Sequence, residues 1–104
     1  MTDLVLAEEF HPPSQIDILG KKFTIRLLGP DEDNDGHMDL ASQEIGIRLQ
    51  PAKEYNQDTG LHEVVHAIDE ILSIGLKEKQ VHQLAAGLIA VLKHNPEFIG
   101  WLMK

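Results

Sequence analysis

The spacing of apolar residues changes period once along this chain, near residue 60. Between residues 15 and 50, apolar side chains recur at every second position, as at Phe23, Ile25 and Leu27. This alternation is typical of strands with one buried face. Turns are predicted at Gly20-Lys21 and at Ser42-Gln43. The region is therefore expected to form two β-hairpins in a small antiparallel sheet.

From Leu61 onward the apolar residues follow a helical period. They are Leu61, Val64, Val65, Ile68, Ile71 and Leu72. This spacing predicts an amphipathic helix with its N-cap at Asp58 or Thr59 and its end at Gly75. A second helix is expected from about residue 77 to residue 94. A short amphipathic piece starting at Pro96 would close the core like a lid.

These elements predict one α+β domain of 104 residues. In it, the sheet of two hairpins packs against two main helices and a short C-terminal helix. We divide the chain into an N-terminal arm (1–14), a β-hairpin part (15–50) and a helical part (57–104). Pro12-Pro13 ends any helix in the arm, because proline interrupts helical hydrogen bonding.

The charge and the cysteine count narrow the classes of function. The formal net charge is −8, which argues against a nucleic-acid partner, since phosphate binding needs lysine and arginine. No apolar run approaches the roughly 18 residues of a membrane span, and the N-terminus does not read as a signal peptide. We expect a cytoplasmic protein without a membrane partner. Without cysteine, any metal must be held by histidine or carboxylate side chains.

Residues 61–69 contain a His-Glu-x-x-His motif inside the predicted helix. His62 and His66 are four residues apart, so both imidazoles can face one cation. Glu63 lies beside them and could take a proton from a water molecule that the cation activates. Two ligands and a general base on one helix are the arrangement of zinc metallopeptidases.

A catalytic zinc usually has a third protein ligand. The metzincin extension needs a glycine at position 69 and a histidine at position 72, whereas this chain has Asp69 and Leu72. The third ligand is therefore expected on the second helix, where His82 is preferred and Glu78 is the alternative. Glu70 is a further alternative, and Asp69 could orient a ligating histidine by accepting a hydrogen bond from its free ring N–H. The possible transition-state stabilisers are Tyr55, His94 and His37.

A second metal motif is weaker. Asp31, Asp33, Asp35, Gly36 and Asp39 match positions 1, 3, 5, 6 and 9 of a calcium-binding EF-hand loop. The glutamate required at position 12 is replaced by Ser42, and the flanks are predicted as strands. We do not expect calcium there and interpret the segment as a turn-rich connection.

Three segments carry a resemblance to a known family: residues 61–69, residues 81–88 and Asn95-Pro96. Over residues 15–98 the chain resembles the minimal zincin-like proteins of phages and prophages, which are distantly similar to the ImmA/IrrE and SprT-like metallopeptidases. The resemblance implies a zincin-like fold and a hydrolase with one zinc ion. In such proteins a glutamate commonly stands where this chain has His82, so the expected set of His62, His66 and His82 departs from the family pattern.

We therefore expect a zinc-dependent metallopeptidase that hydrolyses peptide bonds, with Glu63 as the general base. Its substrate would be a peptide or protein, and the chain would be a monomer or a weak homodimer. The alternative is a non-catalytic metal-binding or protein-interaction module on the same scaffold.

Overall fold

The computed structural model describes residues 11–104, so most of the predicted arm lies outside the described residues. The elements are β1 (Gln15–Ile18), β2 (Lys21–Leu27), β3 (Gly36–Asp39), β4 (Glu44–Ile47), α1 (Lys53–Leu72), α2 (Glu78–His94) and α3 (Pro96–Leu102). The predicted α+β class is confirmed. No helix within residues 11–104 is long and apolar enough to cross a bilayer.

The four strands form one sheet in the order β1-β2-β4-β3. Both predicted hairpins are present, since β1 pairs with β2 and β3 with β4 in antiparallel fashion. β2 and β4, however, pair in parallel, with Ile25 opposite Ile45, so the sheet is mixed and not wholly antiparallel. Apolar alternation indicates which face of a strand is buried but not which strand becomes its neighbour. Ile45 and Ile47 of β4 are buried. Their burial favours a central position in the sheet for this second strand of the hairpin.

The core has two parts that meet at α1. Toward the sheet, Ala67 packs with the buried side chains Ile18, Phe23, Ile45 and Ile47. Away from the sheet, Val65 packs with Val81 and Ala85 of α2. α1 thus lies between the sheet and α2, and its apolar arc is divided between two partners.

α1 begins at Lys53, earlier than predicted, so the helical part starts four residues before residue 57. Asn56 explains the difference, because its buried side chain bonds both backbone groups of Gln50. Its Oδ1 accepts from Gln50 N at 2.7 Å and its Nδ2 donates to Gln50 O at 2.9 Å. A Cβ at Gly60 would lie 3.4 Å from Ile47 Cδ1, so the helix packs closely on β4. These tertiary contacts outweigh the weak helical propensity of residues 51–60.

The prediction that α3 closes the core like a lid is wrong. This helix has no buried residue, and Trp101 is 65% exposed. α3 follows directly after α2 and contacts it. Most of its apolar side chains, including Phe98, Trp101 and Leu102, therefore stay exposed.

Candidate metal centre

The two motif histidines lie side by side on α1. Their ring centroids are 4.9 Å apart, and both side chains are largely shielded from solvent, with exposures of 17% for His62 and 27% for His66. The regular helix through residues 61–69 produces this pairing, since residues four apart lie on one face.

Glu78, the first residue of α2, completes a cluster with these histidines. Its Oε1 lies 2.6 Å from His62 Nε2, and its Oε2 lies 3.0 Å from His66 Nε2. The donor atoms of all three side chains lie within 4.8 Å of one another. Two imidazoles and a carboxylate are a donor set that suits zinc. Within residues 11–104 this is the one group of three or more side chains able to hold a metal ion.

His82, the preferred third ligand, lies one turn further along α2 and outside this cluster. Its ring centroid is 6.3 Å from that of His62. The structure therefore brings the alternative ligand, Glu78, to the motif. The turn before α2 decides which residue arrives there, because Ser73 and Gly75 both adopt positive φ angles of 54° and 87°. That turn geometry cannot be derived from the spacing of histidines.

Glu63 is buried beside the cluster, with 7% of its surface exposed. Burial raises the pKa of its carboxyl; nearby His66 and His37 oppose the shift, while Glu78 adds to it. The carboxylate lies against the start of β3, where a Cβ on Gly36 would be 3.0 Å from Glu63 Oε2. Gly36 is thus a site residue that sequence reasoning missed. The sequence feature that could have identified it is a glycine in a predicted strand, because such a glycine often marks a close approach to another group.

A cavity of about 330 Å³ opens next to Glu63. The side chains that line it include His62, Glu78, His82, Tyr55, Asp35 and Asp58. Tyr55 lies in the first turn of α1 and donates its hydroxyl to Asp35. That hydrogen bond is the main cause of the raised pKa of Tyr55, and burial adds to it. The structure therefore places the candidate transition-state stabiliser on the wall of the cavity.

Asp69 and Glu70 lie outside the donor cluster. Asp69 Oδ1 accepts the backbone amides of Gly75 at 2.8 Å and Leu76 at 2.9 Å. Asp69 therefore organises the turn into α2, and in residues 11–104 no hydrogen bond joins it to a motif histidine. Glu70 is exposed and borders a shallow groove next to His66.

The acidic segment around Asp31, Asp33 and Asp35 connects strands on both sides, whereas an EF-hand loop connects helices. Asp35 accepts the Tyr55 hydroxyl. Asp39 Oδ1 accepts the backbone amides of Ala41 and Ser42. These two carboxylates thus support turns and the cavity wall.

Comparisons with protein-family models, with curated proteins and with solved structures find no match. The resemblance to zincin-like phage proteins therefore stays a prediction, and the functional argument depends on the geometry of the site.

Proposed function

We propose that this protein binds one zinc ion through His62, His66 and Glu78 and hydrolyses peptide bonds with Glu63 as the general base. The observation that carries the proposal is the meeting of three donors, from two helices, beside a buried carboxylate. The cytoplasmic location expected from the sequence is part of the proposal.

The donor distances fit a zinc ion. Zinc bonds to nitrogen and oxygen are about 2.0–2.2 Å long, so two donors in a tetrahedral site are about 3.3 Å apart. The 2.6 Å and 3.0 Å contacts between Glu78 and the two histidines are hydrogen-bond distances and somewhat shorter than that value. A small outward movement of the exposed Glu78 side chain would admit the ion.

The side chains around the cluster match the needs of peptide hydrolysis. A zinc ion would supply Lewis acidity, which lowers the pKa of a bound water to about 7 and polarises a carbonyl. Glu63 would accept the proton of that water and pass it to the leaving amine. Its buried position beside the donor cluster favours this role, because few water molecules compete there for the carboxylate. Tyr55 would donate its single hydroxyl proton to the developing oxyanion after turning away from Asp35, which accepts it in this structure.

The neighbouring strand supports a peptide as substrate. β3 is an edge strand of the described sheet, and it starts at Gly36 beside Glu63. An extended peptide could add to β3 through backbone hydrogen bonds, a common mode of peptide recognition. Its scissile bond would then pass close to the donor cluster.

The ligand set is tested by isothermal titration of the metal-free protein with zinc. We expect one ion per chain, and a loss of at least about tenfold in affinity in His62→Ala, His66→Ala and Glu78→Gln. The matched controls, His82→Ala and Glu70→Gln, should bind like the wild type. Failure of the wild type to bind zinc would refute the proposal. A large loss in His82→Ala with none in Glu78→Gln would refute the assignment of Glu78.

The catalytic role is tested with Glu63→Gln on a library of fluorogenic peptides. This variant should keep its zinc and lose at least about 100-fold in the rate of hydrolysis, because only the base is removed. Zinc binding without hydrolysis of any peptide by the wild type would instead favour a non-catalytic metal-binding module.

A further inference from the structure

The second half of α2 is apolar on every side. Residues 84–92 read Leu-Ala-Ala-Gly-Leu-Ile-Ala-Val-Leu, without one polar side chain. Only Ala85 in this run is buried, whereas Leu84, Leu88, Val91 and Leu92 are 40–49% exposed. Helices that are apolar all round are normally covered on all sides. α1 covers only one side of this helix.

α3 adds further exposed apolar side chains after α2. Phe98 and Trp101 lie next to each other, with ring centroids 5.7 Å apart, and are 49% and 65% exposed. Leu102 and Met103 are 50% and 77% exposed. We call the eight side chains of α2 and the C-terminus the outer apolar face. They are Leu84, Leu88, Val91, Leu92, Phe98, Trp101, Leu102 and Met103.

We propose that the outer apolar face is the interface of a homodimer with two-fold symmetry. The eight residues are 40–77% exposed, so together they offer several hundred Å² of surface, comparable to the roughly 800 Å² that each partner buries in a standard-size interface. In a two-fold dimer the same face of both copies is covered at once, so no apolar surface is left to recruit a third copy.

The distribution of charge favours association through this face. Residues 77–104 contain four lysines and two glutamates, a net charge of +2 in a chain whose net charge is −8. The run 84–92 has no charged residue at all. Two copies that meet through α2 and α3 therefore keep their acidic parts apart, which limits the repulsion between two anionic chains.

The shape of the molecule points the same way. Residues 11–104 have a radius of gyration of 14.3 Å over principal extents of 42 × 35 × 26 Å, whereas a compact domain of about 100 residues has a radius of about 13 Å. α2 is anchored to α1 by Val81 and Ala85, in its first half. Pairing with a second copy would cover the half of α2 that the chain's own core does not reach.

Sedimentation equilibrium of the full chain tests the proposal. With increasing concentration the wild type should approach twice the 11.6 kDa chain mass and not exceed it. Leu88→Lys should raise the dissociation constant at least about tenfold, because it places a charge in the apolar interface. The matched control is Leu27→Lys on β2, a leucine of similar exposure at 41%, which should dimerise like the wild type. Circular dichroism checks that both variants are folded.

Single cysteines provide an independent test, since the natural chain has none. At least one of Leu84→Cys, Leu88→Cys, Val91→Cys and Leu92→Cys should form an intermolecular disulfide on mild oxidation. Leu27→Cys, on β2, should not. Three results would overturn the proposal: a wild type that stays monomeric at high micromolar concentration, masses that grow beyond the dimer, or a monomer that binds anionic lipid vesicles through the same face.

Discussion

Gly36 determines how closely β3 can approach Glu63. A Cβ at this position would lie 2.7 Å from Thr59 Cγ2 and 3.0 Å from Glu63 Oε2. Since real Cβ contacts are longer, an added methyl group must push β3 or Glu63 aside. The absence of a side chain at one strand residue therefore controls the position of the proposed base.

Gly36→Ala should destabilise the fold by about 1–3 kcal/mol, as overpacking of close contacts does. It should also lower hydrolysis more than zinc affinity, because it displaces Glu63 and not the ligands. Urea denaturation and peptide kinetics measure the two effects. Gly29→Ala is the control, since its nearest neighbour atom would be 4.0 Å away. Adding Thr59→Ser to Gly36→Ala should recover part of the stability; no recovery would show that the contact with Thr59 is not the cause.

The burial of Glu63 implies that the stability of the metal-free protein depends on pH. Its pKa is raised above the ordinary 4.5, so the folded state holds the proton more tightly than the unfolded state. The stability that this provides is present at low pH and is lost as the pH rises through the folded pKa. The variant Glu63→Gln has no titrating group at this position, so it does not lose this stability as the pH rises. The free energy of unfolding of this variant, relative to the wild type, should therefore increase with pH.

Urea denaturation with a chelator present, between about pH 4 and pH 8, measures this difference. Glu70→Gln, which removes an exposed carboxylate two turns further along α1, should show no comparable trend. A difference between Glu63→Gln and the wild type that stays constant or shrinks with rising pH would contradict the role of burial.

At the level of elements, the turn between α1 and α2 decides which residues form the proposed metal site. Asp69 accepts two backbone amides there, from Gly75 and Leu76, and Glu78 follows two residues later. Asp69→Ala should cost about 1–3 kcal/mol of unfolding free energy. It should also weaken zinc binding, because α2 would no longer be held in register with α1.

Thermal or urea denaturation and zinc titration test this variant against Glu70→Ala. Glu70 lies in the same turn of α1 but is exposed, so its removal should change neither quantity. If Asp69→Ala and Glu70→Ala have the same unfolding free energy and zinc affinity, the Asp69 side chain does not hold the turn.

The elements themselves could be predicted well from the sequence, and their ends less well. The change from a period of two to a helical period placed both hairpins and both main helices. The start of α1 was missed because Asn56 is stabilised by Gln50, a contact that local propensity does not contain. The motif histidines were predictable because a single helix fixes their spacing. The third donor was not, because the path of the turn through Ser73 and Gly75 brings Glu78 to them.

At the level of the whole molecule, the sequence shows that apolar residues need cover but not what covers them. The apolar residues of α3 predicted a lid over the chain's own core, yet Phe98 and Trp101 remain exposed. The parallel pairing of β2 with β4 is a similar case. Both depend on how distant elements meet, and hydrophobic periodicity carries no information about that.

The division of the proposed ligands between two helices has a consequence for how long the protein lasts in a cell. His62 on α1 and Glu78 on α2 are 16 residues apart, so an ion held by both would close a loop much as a disulfide does in chains that contain cysteine. At a free zinc concentration of 100 times the dissociation constant, the bound ion would add about 2.7 kcal/mol to the free energy of unfolding. Degradation tracks the unfolded fraction. The abundance of the protein would thus follow the supply of zinc, without any separate sensor.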